Sequence, residues 1–275
     1  MPAIPDLPLS DGHRIPQLGL GTWKLPPEET AQAVQTAFDF GYRHIDTAAI
    51  YGNEAGVGRA IARSEPAREQ LFITTKLWND QQGYDATLTA FDKSMTRLGL
   101  AYLDLYLIHW PCPARDQFVD TWRAFIRLQQ EGRIRSIGVS NFREQDIERL
   151  GNETGVLPAI NQIELHPMLP QPLLRQFHQR HDIATEAWSP LAQGSELLKD
   201  ERLAAISVRH DRTPAQIILR WHIELGSIVI PKSATPARMR ENTGIFDFEL
   251  SDDEMALMGR LAQGRRLGEE PEMVN

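Results

Sequence analysis

Short β-branched or leucine-rich runs alternate with stretches of helical spacing along the chain. The runs fall at 18–20 (LGL), 43–46 (RHID), 72–76 (FITTK), 103–108 (LDLYLI), 134–139 (IRSIGV), 160–164 (INQIE), 183–187 (IATEA) and 227–230 (SIVI). Between them, 85–98 places Leu88, Phe91, Met95 and Leu98 on one helical face, with Asp85 as the expected cap and Gly99 as the stop. Residues 117–131 repeat the pattern with Val119, Trp122, Phe125 and Leu128. Thr213-Pro214 caps and opens a helix carrying Ile217, Ile218 and Trp221, and Ser251 to Glu254 reads as a capping box. Asp11-Gly12, between Leu7–Leu9 and Arg14-Ile15, predicts a hairpin. Eight strands alternating with helices over one chain predict an α/β fold: a single (β/α)8 TIM barrel spanning 1–275, with an N-terminal β-hairpin. An open doubly wound sheet fits less well. Its first strand normally opens a glycine-rich phosphate loop, whereas Gly19-Leu20-Gly21 lacks the third glycine and runs on to Pro26-Pro27.

Composition narrows the function classes. The net charge of −8 comes without a basic stripe, so a nucleic-acid partner is not expected. The single cysteine, Cys112, rules out a disulfide framework and a cysteine-based metal site. The N-terminal MPAIPDLPLSDG lacks the features of a signal peptide, and no apolar run approaches the roughly 20 residues that span a bilayer. A cytoplasmic protein with no membrane partner is the expectation.

In a barrel the strand C-termini build the active site. The second predicted strand ends at Asp46, the third at Lys76 and the fourth at His109; the fifth runs into Ser140-Asn141 and the sixth contains Gln162 and Glu164. Period-two alternation puts His109 on the inward row of Leu103, Leu105 and Leu107, and Lys76 on that of Phe72 and Thr74. Singly, each has an ordinary explanation: a solvated lysine, a satisfied core histidine, a turn-capping aspartate, a packed tyrosine. Asp46, Tyr51, Lys76 and His109 together at one rim favour catalysis. No further ligands stand near for a metal, and no G-x-S-x-G elbow is present. A phenol titrates near about 10, so Tyr51 needs help to donate its proton. A lysine ammonium beside it lowers that value, and Asp46 would hold Lys76 in place. Bringing the phenol toward about 7 asks roughly 4 kcal/mol of differential interaction. Such a tyrosine suits a carbonyl oxygen gaining negative charge, with His109 orienting the carbonyl. The hydride must come from elsewhere, which implies a nicotinamide cofactor.

These residues sit in GYRHIDTAAIYGNE (41–54), FITTKLW (72–78), LDLYLIHWP (103–111), GVSNF (138–142), NQIELHP (161–167) and IPKS (230–233). In this order, spanning nearly the whole chain, the motifs closely resemble the aldo-keto reductase family, and within it the bacterial 2,5-diketo-D-gluconate reductases. The resemblance implies NADPH bound in extended form at the barrel rim, and Asp46, Tyr51, Lys76 and His109 as a catalytic tetrad. It further implies that Ser140, Asn141 and Gln162 hold the carboxamide, that Trp188 stacks on the nicotinamide, and that Ser189 and Leu191 line the pyrophosphate path. Lys232, Ser233, Arg238 and Asn242 would surround the 2′-phosphate, and cationic donors there favour NADPH over NADH. Trp23, Trp78 and Trp110 would wall the substrate pocket.

The short segment between Leu191 and Arg202, and the stop at Asn275, lead us to expect an open, unselective pocket. The expected activity is monomeric reduction of small carbonyls: keto sugars such as 2,5-diketo-D-gluconate, keto acids, methylglyoxal or β-keto esters. The alternatives are an NADPH-binding redox-sensing regulatory barrel with little turnover, and a metal-dependent barrel hydrolase, which the missing ligands disfavour.

Overall fold

The structure, a computed structural model, describes residues 3–275. The chain opens with an antiparallel hairpin, β1 (Asp6–Pro8) and β2 (Arg14–Pro16), turning at the predicted Asp11-Gly12. Eight parallel strands follow: β3 (Gly19–Gly21), β4 (His44–Asp46), β5 (Phe72–Leu77), β6 (Leu103–Ile108), β7 (Ile134–Ser140), β8 (Ile160–Glu164), β9 (Ala184–Trp188) and β10 (Ile228–Val229). Each pairs with its neighbour in chain order. The seam between first and last is joined by parallel bridges Leu18–Val229 and Gly21–Lys232, so the sheet closes on itself. This is the predicted (β/α)8 barrel.

Alternation sorts side chains to the two faces of each strand. Outward residues such as Ile73, Tyr106, Ile108, Ile137, Val139 and Ile163 join one large apolar cluster with helices that include α3 (Tyr84–Leu98), α4 (Phe118–Gln130) and α5 (Glu144–Thr154). Inward residues form layers. At the N-terminal end Phe72, Leu105, Ile160 and Ile228 pack with Leu9 and Ile15 of the hairpin region, which closes that end of the barrel. Polar side chains take over toward the C-terminal end, where Thr74, Lys76, Gln162 and Glu186 are buried, and His44 is buried at the start of β4.

Two of the three predicted helix caps hold. Thr213 and Ser251 cap their helices with the predicted capping boxes, over α8 (Pro214–Glu224) and α10 (Asp252–Gly259). Asp85 does not cap α3: Gly83 takes the cap position at φ 103°, and Asp85 lies in the first turn, where its charge still favours the helix dipole. No helix among the described residues is long and apolar enough to cross a membrane.

Candidate active site

Asp46 is the last residue of β4 and Lys76 the next-to-last of β5, so the parallel register brings them to the same rim. The Lys76 ammonium donates to Asp46 Oδ1 at 2.6 Å and to the Thr47 carbonyl at 3.0 Å, with both side chains almost fully buried. A short 3-10 turn, Ala49–Tyr51, then carries Tyr51 back over this pair, and Lys76 Nζ lies 5.2 Å from the centre of its ring. His109, the first residue beyond β6, stands edge-on to Tyr51 at 5.8 Å and to Trp78 at 5.1 Å between ring centres. All four proposed catalytic side chains therefore meet at one place.

The electrostatics differ in one respect from the sequence argument. Burial dominates at Tyr51 and raises its pKa; Lys76 opposes that rise without reversing it. Tyr51 thus holds its proton firmly at neutral pH. For Lys76, burial favours the neutral amine, but Asp46 and Tyr51 outweigh it and raise the pKa, so the ammonium persists. Burial raises the Asp46 carboxyl too, while Lys76 and Gln162 pull the other way, each donating to one of its oxygens. Burial, aided by Lys76, pushes His109 well below its ordinary value, leaving a neutral imidazole.

Above this group opens a cleft of about 1300 Å³. It is lined by Asp46, Tyr51 and His109, by Trp23, Trp78 and Trp110, and by Ser140, Asn141, Gln162, Trp188, Ser189, Leu191, Lys232, Ser233, Arg238 and Asn242. Of the sequence-predicted site residues only Lys76 is absent from its wall, because it lies beneath the floor with no exposed surface.

The cleft's polar groups are already ordered. Trp188 Nε1 donates to Asn141 Oδ1 at 2.8 Å, and Asn141 Nδ2 donates to the His109 carbonyl at 3.0 Å. Asn141 sits at φ 62°, a left-handed conformation that asparagine tolerates better than most residues. At the far end no carboxylate pairs with Lys232 or Arg238 among the described residues, although both are exposed at the cleft. An indole wall with amide groups at one end and unpaired cations at the other fits a long ligand carrying an amide ring and a terminal phosphate.

Several lining residues escaped the sequence reading. Lys24 stacks on Trp23 with its ammonium 4.0 Å from the ring centre. Gln193, Gly194 and Leu198 line the cleft from the short connection after β9, and Leu267, Gly268 and Glu269 line it from the C-terminal tail. The expectation of an open pocket left out this tail. Glu164, fully buried at the end of β8, accepts from the Leu267 and Gly268 amides at 2.6 and 3.0 Å and from His166 at 2.9 Å. Gly268 touches the Trp188 indole so closely that a Cβ there would stand 2.5 Å from it. Only the burial of a strand-end glutamate hinted at this, and the sequence does not show burial directly.

Residues 17–263 match the Aldo/keto reductase family. The chain is 57% identical over 271 residues to an aldo-keto reductase of Mycolicibacterium smegmatis, covering 98% of each. It is 51% identical over 265 residues to the methylglyoxal reductase DkgA of Salmonella typhimurium, covering 96% of each. A solved mutant of Gox0644 in complex with NADPH superposes with a TM-score of 0.95 at 47% identity, with all of both chains covered. A family match over most of the chain, and these identities over nearly all of it, place this protein in the aldo-keto reductase family.

Proposed function

We propose that this protein reduces small carbonyl compounds to alcohols with NADPH, using Asp46, Tyr51, Lys76 and His109. The observation that carries the reading is the buried 2.6 Å Lys76–Asp46 pair beneath Tyr51, at the floor of a cleft walled by tryptophans. When bound, NADPH supplies a hydride to the carbonyl carbon.

The protein's own residues handle charge and position. Tyr51, protonated at neutral pH, gives its hydroxyl proton to the carbonyl oxygen as negative charge grows there. The adjacent Lys76 ammonium stabilises the phenolate left behind, and Asp46 keeps that ammonium charged and in place. A phenol lowered to about 7 is not required; a loaded donor beside a fixed cation suffices. Neutral His109 directs the carbonyl oxygen toward Tyr51. Trp23, Trp78 and Trp110 exclude water and hold small apolar-faced substrates without demanding one shape. Methylglyoxal and 2,5-diketo-D-gluconate are the first substrates to try, with keto acids and β-keto esters behind them.

Ser140, Asn141 and Gln162 would hold the carboxamide, and Trp188 would stack on the nicotinamide. Ser189 and Leu191 would flank the pyrophosphate, and Lys232, Ser233, Arg238 and Asn242 the 2′-phosphate. The test follows NADPH oxidation by absorbance with both first substrates, comparing wild type with Tyr51→Phe. Turnover should fall by about 10²–10⁴-fold in the variant while NADPH still binds. Binding without turnover across a wider carbonyl panel would turn the reading toward a redox-sensing barrel.

A further inference from the structure

Directly beneath the tetrad lies a carboxyl group for which the proposed chemistry has no role. Along β9, Ala184, Glu186 and Trp188 share the inward row, so Glu186 points into the barrel one layer below the Trp188 indole. It is fully buried. Its Oε2 accepts from Gln162 Nε2 at 2.7 Å, and the same nitrogen donates to Asp46 Oδ2 at 2.8 Å. Both hydrogens of the Gln162 amide are thereby committed to carboxyl groups, so its carbonyl oxygen is left for the cleft. Among the described residues Glu186 Oε1 has no hydrogen-bond partner, and it faces His44 Nε2 at 3.6 Å.

We propose that Glu186 is a positioning residue for carbonyl reduction: a neutral carboxylic acid, its proton on the oxygen turned toward His44, that fixes the Gln162 amide and limits the buried negative charge beside Lys76. The inference rests on the reading of this site as a carbonyl reductase. Charge counting in the dry interior supports it. Around Glu186 stand Asp46 and His44 of β4, Lys76 of β5, Gln162 of β8 and, above them, Tyr51. Among the described residues Lys76 is the sole cation for two carboxyl groups, and Asp46 takes a donor on each oxygen whereas Glu186 takes one. An ionised, undonated oxygen in such surroundings is costly, so the proton belongs on Glu186. Burial first, and Asp46 second, push its pKa up to about 8, with Gln162 and Lys76 opposing. His44, pushed down to about 3 by burial, stays neutral and cannot serve as its counter-ion.

The consequence is an alkaline limit on the reaction. Above about 8, Glu186 ionises, and its charge raises the Tyr51 and Lys76 pKa values further. Tyr51 then becomes a weaker acid and reduction slows.

Four measurements test this. In wild-type protein without cofactor, infrared difference spectra between about pH 6 and about pH 9 should show one protonated carboxyl band lost on the alkaline side. Glu186→Gln should lack that band, and its unfolding near pH 7 should release about one proton fewer than wild type, because only the wild-type folded state holds that proton. With NADPH, Glu186→Leu should bind about fivefold more weakly, and Glu186→Gln should recover most of that loss while missing the alkaline decline in kcat/KM. The absence of a protonated carboxyl band from wild type at neutral pH overturns the proposal, whether or not either variant folds. An alkaline decline unchanged in Glu186→Gln overturns it equally. If the band and the proton are found but no carbonyl is reduced, the reductase reading fails while the neutral acid stands.

Discussion

Lys76 is a fully buried cation, and everything near it is arranged around that charge. Asp46 meets it at 2.6 Å, the Thr47 carbonyl at 3.0 Å, and Tyr51 sits above. Removing one partner of a buried pair strands the other. Lys76→Met should therefore cost about 3–5 kcal/mol of stability as well as abolish turnover, with urea unfolding as the check. Titration gives a second prediction at this scale. Burial holds His44, His178 and His222 down to about 3, and His109 well below its ordinary value. In the unfolded chain each takes a proton near about 6.5, so below that pH the unfolded state binds more protons. The stability these histidines contribute is present above about 6.5 and lost as pH falls toward about 3. Glu186 has the opposite sign: its folded pKa of about 8 lies above its unfolded value, so its contribution is lost as pH rises from about 4.5 to about 8. From these five groups, calorimetric Tm should peak near neutrality, fall toward pH 5 with net proton uptake on unfolding, and decline more gently toward pH 8.5. A flat Tm between about pH 7 and about pH 5 would mean that the buried histidines are charged in the folded protein.

Among the elements, the strands were the most legible. Two inward rows could be read by alternation, which is why Lys76 and His109 were placed beside Thr74 and Leu107. The start of α3 was less so: Asp85 is a favoured cap residue, but the cap falls where the preceding turn ends, which Gly83 at φ 103° decides. The C-terminal tail was not legible at all. Its polar sequence carries no periodicity, and its path is set by distant partners. The Gln263 and Arg265 amides donate to the Met168 carbonyl, Leu267 and Gly268 to Glu164, and Glu272 pairs with Arg143. Because charged acceptors make the stronger bonds, Glu164→Gln should loosen this segment specifically. Amide exchange at Leu267 and Gly268 should accelerate while strand amides of the barrel keep their protection. Equal protection in the variant would show that the Glu164 charge is not what holds the tail.

At the scale of the whole molecule the barrel depends on its closing seam. There β3 approaches the chain beyond β10 so closely that a Cβ on Gly21 would stand 2.7 Å from the Ile230 carbonyl oxygen. That atom is backbone and cannot swing aside. Gly21→Ala should cost about 1–3 kcal/mol by forcing the seam apart, readable as a lower denaturation midpoint with unchanged m. An unaltered midpoint would mean that the seam yields freely. Closure also brings β4, β8 and β9 face to face across the interior, where Gln162 reaches both Asp46 and Glu186. Residues 116 positions apart thereby become one hydrogen-bonded group.

The sequence by itself determined the eight strands, the inward rows that carry Lys76 and His109 and the polar residues at the strand ends, because these follow from local spacing and from a parallel register. It also sufficed to identify the family, since the motifs lie in order along the chain. The tertiary structure decided what depends on distance across the barrel. Burial overrides Lys76 in setting the direction of the Tyr51 pKa. Glu186, one alternation step before Trp188, acquires its meaning only when Gln162 and His44 face it. The tail becomes a wall of the cleft only because Glu164 lies buried where its amides arrive. Desolvation and cross-barrel contact are properties of the closed fold, and no stretch of the chain carries them alone.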